Sequence, residues 1–477
     1  MARARLRFLT AREVDLIHET SLEILGRIGV LVRSPDVLRL LADAGAATDE
    51  RTAVARIPED VVADALRRAP KRIRLCGRDP GRDLEVPVDG PPFISTNGLS
   101  VYMTDLETGA KRPTTRADTA AFARLADALD AVSFVWPQVT AGDVPPAAHN
   151  LHETWVTLQN TEKHVQGDSV TAADARTQIR VASLVAGSEE ALRRRPLLSV
   201  TVCPIAPLSF ERGAVEAQVE FARAGLPVSS MSMSLGGMTS PVTIAGTIAN
   251  ANAENLASLV ITQAAAPGAP HIYASESTPM DPMHGTISYA ATEVPLLSAG
   301  LGQMAERYGL PSMIGQWGVD GETPGIPVSF SEVYSMALTT LSGGDLCSGM
   351  GGLEAAKGAS LEQMVIDASL WEHCRAFLRN VSVTPETVAV DVIESVGHGN
   401  TFLKHPHTVR NFRREIFVRD KTRLGWEATL SDRMVPDARR VAKRLLEEHA
   451  VPPLDRDLVR DGEAVIRESE RSLAGKA

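Results

Sequence analysis

The chain has 477 residues, 44% of them apolar and 23% charged, which is ample for a large core and one or two domains. A net charge of −10 without a long basic run argues against a nucleic-acid partner. Cys76, Cys203, Cys347 and Cys374 are scattered with no CxxC pair, which fits reduced thiols and excludes a cysteine-based zinc site. The N-terminus MARARLRFLT lacks the apolar core of a signal peptide, and no apolar run is long enough to span a membrane. A cytoplasmic protein with no membrane association is expected.

Taken in order, the chain opens with helices. Thr10 and Glu13 form a capping box, and apolar spacing from Val14 to Ile28 predicts a helix stopped at Gly29. Ser34-Pro35 starts a second helix that ends at Gly45, and Pro58 starts a third that ends near Arg68. Short strands at Ile73–Leu75 and Leu84–Val88 flank the turn Gly77-Arg78-Asp79-Pro80. Residues 1–90 therefore read as a helical N-terminal extension packed on the main domain.

From Phe93 the pattern repeats. Apolar runs with strand character fall at 93–96, 132–136, 164–168, 198–202, 228–232, 271–275, 311–315 and 345–348. Helical stretches follow them near 116–130, 149–161, 172–187, 211–224, 243–266, 290–308, 329–342 and 360–380. Eight strands alternating with eight helices predict an α/β fold, a (β/α)8 TIM barrel over residues 91–384. A doubly wound open sheet is the alternative, but GxGxxG and GxxxxGK[ST] are missing. Residues 385–477 read as a C-terminal helical extension.

Barrel sites are built at the C-terminal ends of strands. Those ends carry Asn97, Trp136, Gln138, Gln166, Asp168, Thr201, Cys203, Met231 and Met233 in the first half. Ser275, Glu276, Gln316, Trp317 and Ser348 follow in the second. Amides, hydroxyls, methionines and two tryptophans suit a cationic or apolar small ligand, with Trp136 and Trp317 as a candidate cage. Beyond the last strand, Gly349, Gly351 and Gly352 free the backbone for a close approach. No nucleophile elbow and no His/Cys cluster at metal spacing is present, so no metal is expected. The run VGHGNTFLKHPHT interrupts the C-terminal helices, and a loop folded back over the barrel would bring one of its histidines to the pocket.

Four stretches resemble the trimethylamine methyltransferase family: the turn Gly77–Pro80, Met280–Pro311, Ser348–Asp367 and Gly397–Arg413. The resemblance runs over nearly the whole chain. It implies a TIM barrel that moves a methyl group from a methylated amine to the Co(I) of a cognate corrinoid protein. The corrinoid cofactor, a cobalamin, is thus carried by a partner, and a homo-oligomer is expected. Founding members carry pyrrolysine in the barrel, aligned near Cys347–Ser348, where this chain has standard residues. That departure points to a quaternary, betaine-like substrate such as glycine betaine. A barrel that binds quaternary amines without catalysis, or an unrelated barrel lyase or hydrolase, are the alternatives. From their positions at the strand ends, Glu276 and Gln316 are the expected catalytic pair, and with Gln166 they orient the cation. Trp136 and Trp317 enclose it, His398 or His407 meets a substrate carboxylate, and Gly236-Gly237 with Gly349–Gly352 clear a surface for the corrin.

Overall fold

The computed structural model describes residues 4–325, 330–416 and 433–474. Residue 329, the expected start of one helix, and residues 417–432 of the C-terminal extension lie outside them. Seven parallel strands form the central sheet: β1 (Phe93–Thr96), β2 (Val165–Asp168), β3 (Leu198–Val202), β4 (Val228–Ser232), β5 (His271–Ser275), β6 (Ser312–Gln316) and β7 (Leu346–Met350). Their order is β1-β7-β6-β5-β4-β3-β2, so β1 and β2 are left at the two edges.

Residues 132–136 close that gap. Phe134 bridges Ser95 of β1 and Val135 bridges Val165 of β2, both in parallel. Ser133 N donates to Ile94 O at 2.7 Å, and Gln166 N donates to Val135 O at 2.9 Å. An eight-stranded closed barrel results, with one stave held by single bridges on each side. Closure removes the exposed edges of an open sheet.

The sheet tolerates apolar residues on both faces because helices cover the outside. The helix α4 (Ile244–Ala265) is buried from Thr247 to Gln263 on all sides. It is enclosed because α1 (Ala11–Glu23), α2 (Pro35–Asp43) and α3 (Glu59–Arg68) of the N-terminal segment all pack against it. The capping box of Thr10 and Glu13 is present at the start of α1.

The N-terminal segment is not only helical. Val30–Val32, Ala47–Asp49 and Val54–Arg56 form a small sheet with Ser209–Phe210, a loop strand following β3. These three-residue strands are too short to show a period of two, and their partner lies far along the chain.

After β7 comes α5 (Leu361–Phe377), then α6 (Pro385–Val388), α7 (Val390–Val396) and α8 (Pro406–Glu415). The helices α9 (Met434–Glu448) and α10 (Arg456–Ala474) then run back along the barrel wall. Arg439 on α9 pairs with Glu362 at 2.9 Å, and Thr177 meets Ser469 of α10 at 2.9 Å. Among the described residues no helix is long and apolar enough to cross a membrane.

Candidate active site

Two carboxylates define the barrel mouth. Asp168 closes β2 and Glu276 follows β5 directly. Trp136 Nε1 donates to Asp168 Oδ2, and Ser348 Oγ of β7 donates to Glu276 Oε1. The Trp136 indole lies against Gly98, where a Cβ would stand 2.5 Å from the ring. Glycine at 98 is what lets the indole reach Asp168. Gln316 Nε2 donates to Asn97 Oδ1 at 3.3 Å, which ties β6 to the end of β1.

Local irregularity aims these groups. Register shifts fall between Met313 and Gln316 on β6, and between Cys347 and Met350 on β7. Each shift contains a glycine at positive φ, Gly315 at 93° and Gly349 at 114°. A bulge of this kind turns the following side chain out of strict alternation.

Burial governs the electrostatics. Loss of water raises the Asp168 carboxyl to about 7, against the opposing Trp136 hydrogen bond. Glu276 is raised to about 7, chiefly by burial, with the Ser348 bond opposing and the charge of Asp168 adding. Both side chains keep some solvent contact, yet protein surrounds their carboxyl groups. Each carboxyl therefore holds its proton up to about pH 7, and the charge of Asp168 adds to the shift of Glu276. Around them Gln166 Oε1, Gln316 Oε1, Thr201 Oγ1 and both amide atoms of Gln138 are buried with no hydrogen-bond partner. Unpartnered buried polar atoms in native proteins mark a place for a ligand or water.

The expected site residues separate into groups. Trp136, Glu276 and Gln316 stand at strand ends of this mouth, whereas Gln166 is fully buried two residues before Asp168 on β2, its Nε2 donating to Met313 Sδ at 3.5 Å. Trp317 does not serve as a cage wall: it is 1% exposed and packs edge-on against Trp371, ring centroids 5.5 Å apart. A strand-end tryptophan at this position belongs to the core between barrel and α5. Trp317→Ala should therefore lower overall stability by about 3–5 kcal/mol, read as a fall in the unfolding midpoint. Altered ligand affinity with unchanged stability would restore the cage role.

His398 and His407 lie elsewhere. Helix α5 carries the chain from the mouth to the opposite end, where Asn380 Nδ2 reaches Asp89 O at 3.4 Å, ahead of β1. His407 lines a surface pocket of about 550 Å³ between α6 and α8, and His405 Nδ1 accepts from His407 N at 3.1 Å as the cap of α8. The expected returning loop over the pocket is thus, at these residues, a helix pair at the far end. The chain had to leave the mouth because an α-helix after a barrel strand runs antiparallel to it.

The glycines also divide. Gly349, Gly351 and Gly352 are buried, and internal packing explains them. A Cβ at Gly349 would stand 2.7 Å from Trp317 backbone atoms, and one at Gly352 3.0 Å from Asn97. They do not form an open surface for a corrin. Gly236 is buried beside Thr247, whereas Gly237 is exposed at the rim. Beyond the glycines, Glu354, Ala355 and Ala356 hold φ of 53°, 51° and 72°. Three successive left-handed residues cost roughly 1–2 kcal/mol each. Bonds to the loop after β6 hold them there: Glu354 N to Gly321 O at 3.0 Å and Ala355 N to Val319 O at 3.2 Å.

Three acids near the mouth had no assigned role in the sequence reading. Asp168 stood among the strand ends, but nothing local showed that it pairs with Glu276. Asp367 on α5 accepts from Gly351 N at 2.8 Å, and burial raises its carboxyl to about 7. Glu153 accepts from Ala141 N at 3.0 Å, and burial raises it to about 8. Both sit on helix faces whose burial follows only from the tertiary packing. Among the described residues, no group of three or more His, Cys, Asp or Glu is placed to hold a metal ion.

A profile of the family described as trimethylamine methyltransferase (MTTB) matches residues 2–474. The chain belongs to the trimethylamine methyltransferase family. It is 33% identical over 461 residues to "Trimethylamine methyltransferase MttB" of Desulfitobacterium hafniense (strain DSM 10664 / DCB-2), covering 96% of this chain and 93% of the relative. It is 27% identical over 436 residues to the "Glycine betaine methyltransferase" of Desulfitobacterium hafniense (strain Y51), covering 90% and 87%. The monomethylamine methyltransferase structure of Methanosarcina barkeri covers 93% of each chain at 13% identity, with a TM-score of 0.49. This member of the trimethylamine methyltransferase family contains only standard residues.

Proposed function

We propose that this chain removes a methyl group from a quaternary or protonated tertiary amine and delivers it to the Co(I) of a corrinoid protein. The observation that carries the reading is the buried acids Asp168 and Glu276, which create an anionic site at the barrel mouth near amide oxygens of Gln166 and Gln316 that lack partners. The names of the relatives, which act on trimethylamine and glycine betaine, support the substrate class.

The chemistry fits the charges. Displacement at a quaternary ammonium methyl expels a neutral amine, so no general acid is needed for it. A protonated tertiary amine leaves in the same neutral form, and its N–H⁺ can donate to Glu276. Positive charge fades from nitrogen as the methyl departs, which would leave a bare carboxylate behind. Ser348 and Trp136 reduce that cost, because each already donates to one carboxylate. Gln166 and Gln316 fix the orientation of the nitrogen substituents.

The corrinoid, when docked, supplies the nucleophile that accepts the methyl group. The rim fits such a partner: Val101, Val170, Ile205, Met238 and Met283 stand exposed on loops after β1, β2, β3, β4 and β5. An exposed apolar ring around a polar mouth is the anatomy of a docking face.

The test is methylation of free Co(I)-cobalamin across betaines and methylamines, with substrate affinity measured from pH 6 to 8. A quaternary amine carries no proton, so any pH dependence of its binding reports the protein. The folded pKa values of the two acids are raised, so each holds a proton below pH 7. A cation favours the ionised form, and affinity should therefore rise with pH up to about 7 and then level off. Tight binding of one amine without methyl transfer would make the protein a binder and overturn the catalytic reading. Neither binding nor transfer would overturn both.

A further inference from the structure

The mouth holds one more carboxylate than a single ammonium ion needs. Glu276 accepts one hydrogen bond from Ser348 Oγ, and Asp168 accepts one from Trp136 Nε1. Among the described residues the second oxygen of each has no protein partner, and neither acid pairs with a lysine, arginine or histidine. Asp168 ends β2 and Glu276 follows β5, three staves along an eight-stave wall, so the two face each other across the mouth.

The charges around them have the same sign. Glu276 opposes ionisation of the Cys347 thiol and the Tyr289 phenol, and Asp168 opposes that of Glu153. Both acids oppose it at the Cys203 thiol, which follows β3 on the arc between them. Asp320 adds a further acid at Tyr289 and is held by backbone, accepting from Tyr289 N at 3.1 Å and Ala290 N at 3.0 Å. Asp367 is held by Gly351 N and Gln363 Nε2, both at 2.8 Å. Lys111, on the loop after β1, is already paired with Glu354 at 2.6 Å. The neutral groups add acceptors: Gln316 Nε2 donates to Asn97, which leaves its Oε1 open.

One ionised Glu276 is enough to receive one positive charge. A second buried acid carries a desolvation cost, and what it adds to the mouth is repulsion of anions. We propose that Asp168 is a specificity-determining residue whose carboxylate rejects amines that also carry a carboxylate. The site then takes small ammonium ions of one net positive charge, a protonated tertiary amine or a carboxylate-free quaternary one. Zwitterions are turned away because their anionic arm meets Asp168 and finds no cation to offset it. The choice of ammonium ligands rests on the function proposed above; the charge pattern does not.

The experiment measures binding alone, by calorimetry on the full chain, with glycine betaine and its carboxamide. The two probes match in size and differ by one charge. At pH 8 the carboxamide should bind at least about tenfold more tightly. Both acids have folded pKa values raised to about 7, so the repelling charge is present above pH 7 and absent below it. At pH 6 the gap should accordingly fall below about threefold. Asp168→Asn keeps an oxygen for the Trp136 indole and should close the gap at pH 8 to a similar value, chiefly by strengthening betaine binding. Betaine binding as tightly as the carboxamide to wild type at pH 8 overturns the proposal. So does a gap that Asp168→Asn leaves intact, or one that persists at pH 6. Binding of neither probe overturns it together with the proposed function. A tenfold gap without methyl transfer to Co(I) supports the filter and overturns the catalytic reading alone. Should Asp168→Asn misfold, the pH series on wild type decides.

Discussion

Replacing Glu276 by glutamine should cut amine affinity and methyl transfer about a hundredfold while the barrel stays folded. Glutamine keeps the shape of the side chain and leaves Ser348 an oxygen to donate to. It removes the charge that receives the cation. Truncating one member of a buried charge contact costs about 2–5 kcal/mol, and a hundredfold corresponds to about 2.7 kcal/mol. The same change should leave stability unaltered or raise it above pH 7. The folded-state pKa of Glu276 is raised to about 7. Its proton therefore favours the native state at low pH, and that advantage is lost as pH rises through about 7. Calorimetric titration with the amine and thermal melts at pH 8 read both effects. Unchanged affinity and turnover would show that the cation binds elsewhere.

A second large effect on folding should come from Gly349→Ala. This residue has φ of 114° and is buried in the bulge of β7. Its added Cβ would stand 2.7 Å from the Trp317 backbone and 2.9 Å from Gln316 Cγ. Backbone atoms of an adjacent strand cannot swing aside as a surface side chain would. Overpacking costs about 1–3 kcal/mol, and a side chain at positive φ about 1–2 kcal/mol more. Gly321→Ala is the control, since nothing lies within 4 Å of its added Cβ and its φ is not positive. Equal urea midpoints for the two variants would mean that the end of β7 has slack to yield.

The barrel was legible because burial on both faces writes continuous apolar runs, and helices at 3.6-residue spacing separate them. The strands read at 93–96, 198–202, 228–232 and 271–275 match the observed bounds. The run at 345–348 instead extends over Leu346–Met350, because the bulge at Gly349 adds length without adding alternation. The site was legible only one residue at a time. Glu276 and Asp168 lie more than a hundred positions apart, and the Asp168 charge acts on Glu276 only once the sheet has curled. The tryptophans show the same limit. Trp136 and Trp317 occupy equivalent strand ends, yet Gly98 leaves room for one to face the mouth while Trp371 draws the other into the core. The histidines of the far helix pair misled because a charged, glycine-rich stretch has the same composition whichever end of a barrel it sits on.

The stave at residues 132–136 has a consequence for the order in which the molecule fails. Most of the wall is stitched by several paired residues per seam, but this stave holds to β1 and β2 by one bridge each. Trp136 stands at its end, and Asp168 takes a hydrogen bond from that indole. When heat or denaturant loosens the wall, this seam should part before the others. Water would then reach Asp168, its carboxyl would return toward the ordinary acid range, and the desolvated pocket would be lost. Function is thus the most fragile property of the fold, gone while most of its secondary structure remains.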